Sequence, residues 1–260
     1  MRLTAVARQT PAPWRGPAKD LPLPPGEVHI WWVGLHLEGS ALCACWDLLS
    51  PEETRVASSY RFVKDLREFV ITRAVLRQIL ARYTGQSAND LRFESGPGGK
   101  PVLRGAQSVH FSVSHCSDIA LLAVARVRIG IDVEYVRPGN FWQKAIGRCL
   151  SPRERAYLEA LPLRLRPATL YRFWARKEAV LKAMGTGLLY PPQQVSVLPE
   201  SSHPTVVSLL GRNWLVRQVP APEPYEAAAA IEASACKVKW RQWRFPAGRI
   251  LGATAPACAS

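Results

Sequence analysis

Acidic side chains are in short supply in this chain: 20 Asp and Glu face 34 Lys and Arg in 260 residues, leaving a formal charge of +14 and a pI near 10.0. The shortfall gives the folded surface a positive field that draws in anions such as nucleotides, nucleic acid or an acidic protein. Cysteine pairs of the CxxC kind are missing too. Cys43, Cys45, Cys116, Cys149, Cys236 and Cys258 are scattered without the His partners a zinc site needs, so reduced, mostly buried thiols are expected. No stretch approaches about 18 apolar residues, which excludes an apolar membrane-spanning helix. Nor does the N-terminus, where Arg2, Arg8 and Arg15 stand among prolines, hold the unbroken apolar segment of a secretory signal. The expectation is a cytoplasmic protein with no membrane partner.

What is present is enough apolar sequence, 48% of the residues, to bury a sizeable core in one large domain or two ordinary ones. Residues 1–27 are proline-rich and read as an extended arm. Val28-His29-Ile30-Trp31-Trp32-Val33 follows a Pro-Pro-Gly breaker and reads as a buried strand. Leu49-Ser50-Pro51-Glu52-Glu53 carries a cap, a first-turn proline and first-turn carboxylates, so a helix starts at Pro51. Apolar periodicity predicts a second helix over 64–83, ended by Gly85, and later helices from Pro152 and over 168–184. Strands are predicted at 109–113, 119–127, 206–210, 214–219 and 227–231.

Leu49-Ser50-Pro51-Glu52-Glu53 recurs as Leu150-Ser151-Pro152-Arg153-Glu154, and Thr72-Arg73-Ala74-Val75-Leu76-Arg77 recurs as Lys177-Glu178-Ala179-Val180-Leu181-Lys182, in the same order and at similar displacements. Two related α+β halves are implied, 28–120 and 121–245, followed by a loose tail over 246–260. Such halves face each other across a pseudo-twofold axis and leave a cleft able to hold one ligand.

In Gly130-Ile131-Asp132-Val133-Glu134 the two acids alternate with apolar residues and share one face of an extended segment. Paired carboxylates repel unless solvent or a cation intervenes; Mg2+ uses such a pair when phosphate completes its shell, while two solvated acids at a strand end is the plainer reading. On the helix bearing Phe173 to Lys182, Glu178 and Lys182 lie four apart, an ordinary surface pair or, with Lys177, a set reaching metal and phosphate. Trp174 reads as core. Phe111-Ser112-Val113-Ser114-His115 brings a hydroxyl and an imidazole to a strand end where an anion could sit, and no G-x-S-x-G elbow makes Ser114 a hydrolase nucleophile. Lys100 follows a glycine pair, as a phosphate contact or as an exposed turn.

Taken in order, Gly99-Lys100-Pro101, Phe111 to His115, Gly130 to Glu134 and Trp174-Ala175-Arg176-Lys177-Glu178-Ala179 resemble the signature set of the surfactin-synthetase-type phosphopantetheinyl transferases. The resemblance implies an α+β pseudodimer with the active site in the cleft between its halves, acting as a monomer on coenzyme A and an acidic acyl or peptidyl carrier protein. It implies that Asp132, Glu134 and Glu178 hold Mg2+ with the pyrophosphate, that Lys100, Ser114, His115, Lys177 and Lys182 meet the phosphates, and that Arg73 is a further phosphate candidate. Glu178 is implied as the base for the carrier serine, with Lys182 beside it at the reacting phosphate. The chain departs from the family at Glu53 and Val56, where related enzymes often carry lysines for the 3′-phosphate; Arg55 or Arg61 would have to substitute.

Two other classes compete. Net charge, nine tryptophans and the basic stretch Lys237 to Arg244 suit a nucleic-acid-binding protein, although alternation of basic with apolar residues in that stretch reads better as an edge strand, and a basic patch leaves three ordered acids unexplained. A Mg2+-dependent phosphodiesterase would keep the acids and change the reaction.

Overall fold

A computed structural model describes residues 21–105, 108–137, 144, 146–198, 205–233 and 238–246. Most of the expected arm and tail therefore lies outside the described residues. In chain order the elements are β1 (Glu27–Gly34), α1 (Gly39–Asp47), α2 (Pro51–Ala57), α3 (Val63–Thr84), β2 (Phe93–Ser95), β3 (Pro101–Leu103), β4 (His110–Cys116), β5 (Ile119–Ala125), β6 (Ile129–Tyr135), α4 (Pro152–Glu159), α5 (Arg166–Met184), β7 (Thr205–Leu209), β8 (Arg212–Val219), β9 (Tyr225–Glu232) and β10 (Lys239–Arg244). Short α1 and the β2–β3 hairpin were not expected from sequence. No helix among the described residues is long and apolar enough to cross a membrane.

Each half repeats one helical unit. Ser50 and Glu53 form a capping box on α2, with Glu53 N donating to Ser50 Oγ at 3.2 Å and Ser50 N to Glu53 Oε2 at 2.8 Å. Ser151 and Glu154 do the same on α4, at 3.3 and 2.8 Å. These reciprocal bonds satisfy amide donors that a helix start otherwise leaves open. The long helices α3 and α5 then end on Gly85 and Gly185, both left-handed at φ 69° and 80°. The capping acids have further partners that fix the register: Glu53 Oε2 takes Arg77 at 2.7 Å and Glu154 Oε2 takes Lys177 at 2.7 Å. Arg77 is thus the counterpart of Lys177, a displacement of 100 residues that matches Gly85 with Gly185. This corrects the alignment of 72–77 with 177–182. Apolar recurrence along a helix lets a wrong shift of five residues look right, though it turns the helix face by about 140°.

Two four-stranded sheets carry these helices. The first has order β10-β1-β5-β4, with β10 parallel to β1 and the other pairs antiparallel; the second, β6-β9-β8-β7, is antiparallel throughout. Alternation sorts the side chains of each strand. Trp31, Val33, Leu122 and Val124 share one buried cluster with Val75 and Ile79 of α3, while Val28, Ile30, Trp32, Leu121 and Ala123 share another with residues of the second sheet. From that sheet, Ile131, Val133, Ala227 and Ala229 face inward, and Val216, Ala228 and Ala230 lie under α5. The result is helix, sheet, sheet, helix, an α+β pairing of two similar halves.

The expected divide at 120/121 falls inside β5. The sheets separate between β5 and β6, and β10, counted above with the second half, lies in the first sheet beside β1, where Glu27 receives Arg241 at 2.7 Å. Local alternation marks β10 as an edge strand, which it is, but does not say whose edge.

Candidate active site

The close crossing of β6 under α5 organises this region. A Cβ on Gly130 would stand 1.9 Å from Ala179 O and 2.5 Å from Ala183 N, so only glycine permits strand and helix backbones to touch here. Beyond it, Ile131 and Val133 turn to the inter-sheet core, and Asp132 and Glu134 turn to the helix. Each acid then meets a different turn of α5. Lys182 Nζ lies 2.6 Å from Asp132 Oδ1, and Trp174 Nε1 donates to Glu134 Oε1 at 2.9 Å. Glu178 falls between these turns and lines the adjoining cavity.

Around Asp132 the contacts close into a triangle. Ser114 Oγ donates to Asp132 Oδ1 at 2.7 Å and receives Lys182 Nζ at 3.0 Å. The neighbouring residues of β4 have a second duty. Ile131 N donates to Ser112 Oγ at 3.1 Å, and Tyr135 N to Cys116 Sγ at 3.4 Å, so alternate side chains of β4 receive amides from the free edge of β6. Asp132 is 3% exposed and accepts its partners through Oδ1, while Asp132 Oδ2 and Glu178 Oε1 are buried with no hydrogen-bond partner among the described residues.

Burial, and after it the negative charge of Asp132, pushes Glu178 up to about 7; the same two causes, in the same order, push Glu134 up to about 7. Three mutually repelling acids, two of them with an open, buried oxygen, suit a hard divalent cation such as Mg2+. Among the described residues, no three His, Cys, Asp or Glu side chains are grouped closely enough to hold a metal ion by themselves.

A cavity of about 290 Å³ adjoins these groups, lined by Gly99, Lys100 and Phe111 from the first half and by Glu178, Lys182 and Leu188 from the second. Its loop wall is seated tightly: a Cβ on Gly98 would lie 2.4 Å from Gly185 O, at the end of α5. Lys100 Nζ donates to Ile129 O at 2.6 Å and to Lys182 O at 2.9 Å. Burial first, then the charge of Lys182, pulls its pKa down to about 8. Lys100 therefore ties the start of β6 to the last turn of α5 while facing the cavity.

Of the sequence candidates, Lys100, Ser114, Asp132, Glu134, Glu178 and Lys182 gather in this region. His115 is near enough for Lys182 and Asp132 to influence it; burial dominates and lowers its pKa, and Glu68 lies 3.6 Å from its ring. Lys177 is not brought here. Its side chain is wholly buried, held by Glu154 and by the carbonyls of Pro192 and Val195, because adjacent helical residues point about 100° apart and Glu178 already faces the cavity. Arg73 is engaged with Glu53 at 3.3 Å and stacked over Phe69 and Phe93. Arg55 sits by Glu52 and Arg61 over Phe62, with no contact to the acids. Sequence reasoning missed Ser112 and the polar role of Trp174. The period-two serines of β4 carried a signal for the first; an indole beside the apolar face of its helix carried none for the second.

Residues 128–230 match the family model described as "4'-phosphopantetheinyl transferase superfamily", and residues 38–127 match "4'-phosphopantetheinyl transferase, N-terminal". The two matches meet between β5 and β6, where the sheets part. Curated relatives include 4'-phosphopantetheinyl transferase HetI of Nostoc sp., 36% identical over 179 residues, covering 67% of this chain and 76% of that protein. The 4'-phosphopantetheinyl transferase psf-1 of Bacillus pumilus is 27% identical over 201 residues, covering 73% and 85%. The 4'-phosphopantetheinyl transferase Sfp of Bacillus subtilis is 26% identical over 149 residues, covering 57% and 66%.

Proposed function

The chain belongs to the 4′-phosphopantetheinyl transferase superfamily, and on that premise we propose that it moves the 4′-phosphopantetheine group of coenzyme A onto a serine of an apo acyl or peptidyl carrier protein, with Mg2+ required and adenosine 3′,5′-bisphosphate released. The observation that carries this reading is the pair of buried, unpartnered oxygens, Asp132 Oδ2 and Glu178 Oε1, next to Lys182 and the shared cavity. Open carboxylate oxygens beside a fixed ammonium suit a cation and a polyphosphate together. Asp132, Glu134 and Glu178 are the residues that would hold Mg2+, which supplies positive charge to the pyrophosphate and polarises its phosphorus.

The remaining chemistry belongs to the chain's own side chains. Lys182 Nζ, braced by Asp132 and Ser114, offers a preorganised positive charge to the phosphate that departs. His115 presents a neutral imidazole to phosphate oxygens, Ser114 contributes by holding Lys182 and Asp132 in place, and Lys100 adds charge from the cavity wall. Glu178 is the base: its carboxylate accepts the proton of the carrier serine as the serine Oγ bonds to the β-phosphorus, and the bond from that phosphorus to the adenosine bisphosphate breaks. The charge of +14 would steer an acidic carrier toward the enzyme, and a monomer suffices because both halves lie in one chain.

Intact mass spectrometry of a carrier-protein panel, after incubation with coenzyme A and Mg2+, tests the proposal. A gain of one phosphopantetheine on a carrier, lost with Asp132→Ala or Glu178→Ala, is expected. Release of adenosine bisphosphate without any acceptor would instead identify a hydrolase, and oligonucleotide binding without any mass gain would favour the nucleic-acid reading.

A further inference from the structure

Trp174 has two settings at once: its ring lies half-buried at the margin of the core between α5 and the second sheet, and its Nε1 donates to Glu134 Oε1 at 2.9 Å. The next strand explains why that bond matters. Glu226 on β9 is the register partner of Glu134, so both carboxylates leave the sheet on the helix side. Glu226 is 3% exposed and fully engaged, by Arg172 through two bonds at 3.1 and 2.9 Å and by Gln218 Nε2 at 2.8 Å. The nearby guanidinium is thus spent on the neighbouring acid. Glu134 is repelled by Asp132 and Glu178 and is restrained by a neutral donor.

Neutrality of that donor is the useful property. A Lys or Arg bonded to Glu134 would fix its direction but would also cancel the charge that attracts a cation. An indole N–H holds one oxygen, adds no charge, and leaves the other oxygen directed by the rigid ring. We propose that Trp174 is a positioning residue that orients Glu134 for divalent-cation binding, with the Arg172–Glu226–Gln218 cluster keeping the adjacent carboxylate out of competition. The inference rests on the cation-dependent reading given above.

The test uses the full chain with coenzyme A present and Mn2+ as the probe, following loss of the free-ion EPR signal. Trp174→Phe keeps most of the ring and removes the donor; Mn2+ is expected to bind about 10-fold more weakly, in the range for lost partners of metal ligands. In a Glu134→Gln background the same substitution should have no additional effect on Mn2+ affinity, a comparison that remains valid if Trp174→Phe costs some stability. Equal losses in both backgrounds would overturn the proposal, because Trp174 would then act through general packing. Unchanged Mn2+ affinity in Trp174→Phe, alongside weakened binding in Asp132→Asn, would overturn it as well. If Asp132→Asn also bound Mn2+ normally, the failure would lie in the cation reading itself.

Discussion

Gly130→Ala places the tightest demand on this architecture. The added methyl would sit 1.9 Å from Ala179 O and 2.5 Å from Ala183 N, and ordinary contact begins only at 3.4 Å. Both clashing atoms are helix backbone, so no side chain can swing away; α5 must retreat by about 1.5 Å or the strand must bend. Overpacking of this kind costs about 1–3 kcal/mol, and backbone contact places it at the upper end or above. At about 2–4 °C per kcal/mol for a chain of this size, a melting temperature lowered by about 6–12 °C is expected, within the stability most proteins can lose and stay folded. Activity should suffer more than stability, because the displaced segment, Ala179 to Ala183, follows Glu178 and contains Lys182, and a misplacement of about 1 Å can cost about 10²-fold in rate. Thermal unfolding and carrier-modification rates on the same preparation measure both. A variant that melts like the parent and modifies carrier at the parental rate would refute the close crossing and the positional argument built on it.

The other expected outcomes concern pH and three variants. Glu134 and Glu178 are both raised from 4.5 to about 7, so their contribution to folding is complete below about pH 4.5 and is lost as pH rises through about 7. The metal-free protein should therefore melt lower at about pH 8 than at about pH 6, and Glu134→Gln/Glu178→Gln should flatten that slope; a slope of opposite sign would contradict the burial assigned to these acids. Lys177→Met strands the buried Glu154 and should cost about 3–5 kcal/mol in denaturant unfolding while coenzyme A affinity is retained; lost affinity at unchanged stability would restore Lys177 as a phosphate contact. Ser112→Ala leaves the Ile131 amide without its acceptor and should destabilise by about 1–3 kcal/mol with normal Mn2+ binding, whereas a selective loss of Mn2+ binding would place Ser112 in the site.

Much of the fold was legible because its signals are local. The capping boxes at Ser50 and Ser151 announced two helices, and apolar periodicity announced α3 and α5, since caps and faces act within a few residues. Helix α1 escaped because Glu38 makes no capping bond from its side chain, and β2 and β3 escaped because three-residue strands show no usable alternation. At the site, the motifs carried the right residue types, but their partners are distant in sequence. Nothing near Lys100 indicates that its ammonium binds the Lys182 carbonyl, 82 residues away. Lys177 was the avoidable case: Glu178 and Lys182 share a helix face, so their neighbour had to point elsewhere.

The corrected register also explains why a fold built twice carries its chemistry once. Val28, Ile30 and Trp32 face the second sheet as Ile129, Ile131 and Val133 face the first, which sets Trp31 opposite Asp132 and Val33 opposite Glu134. On the helices, Arg82 then corresponds to Lys182 and Gln78 to Glu178. In the first half the half-buried Arg82 guanidinium lies 5.6 Å from the centre of the buried Trp31 ring; in the second, Lys182 meets the Asp132 carboxylate at the edge of a cavity. The same cation position thus serves packing in one half and charge placement in the other. Trp31 and Val33 fill with apolar volume the space that Asp132 and Glu134 keep polar, so the first half has no room for a second site of this kind. It contributes from its other elements instead, with Ser114 on β4 and Lys100 on the loop before β3 both joined to the second half. Each half is consequently incomplete alone: the acids lie on one with Lys182 and Trp174, and the other adds Ser114 against Asp132 and Lys100 against the backbone of Ile129 and Lys182.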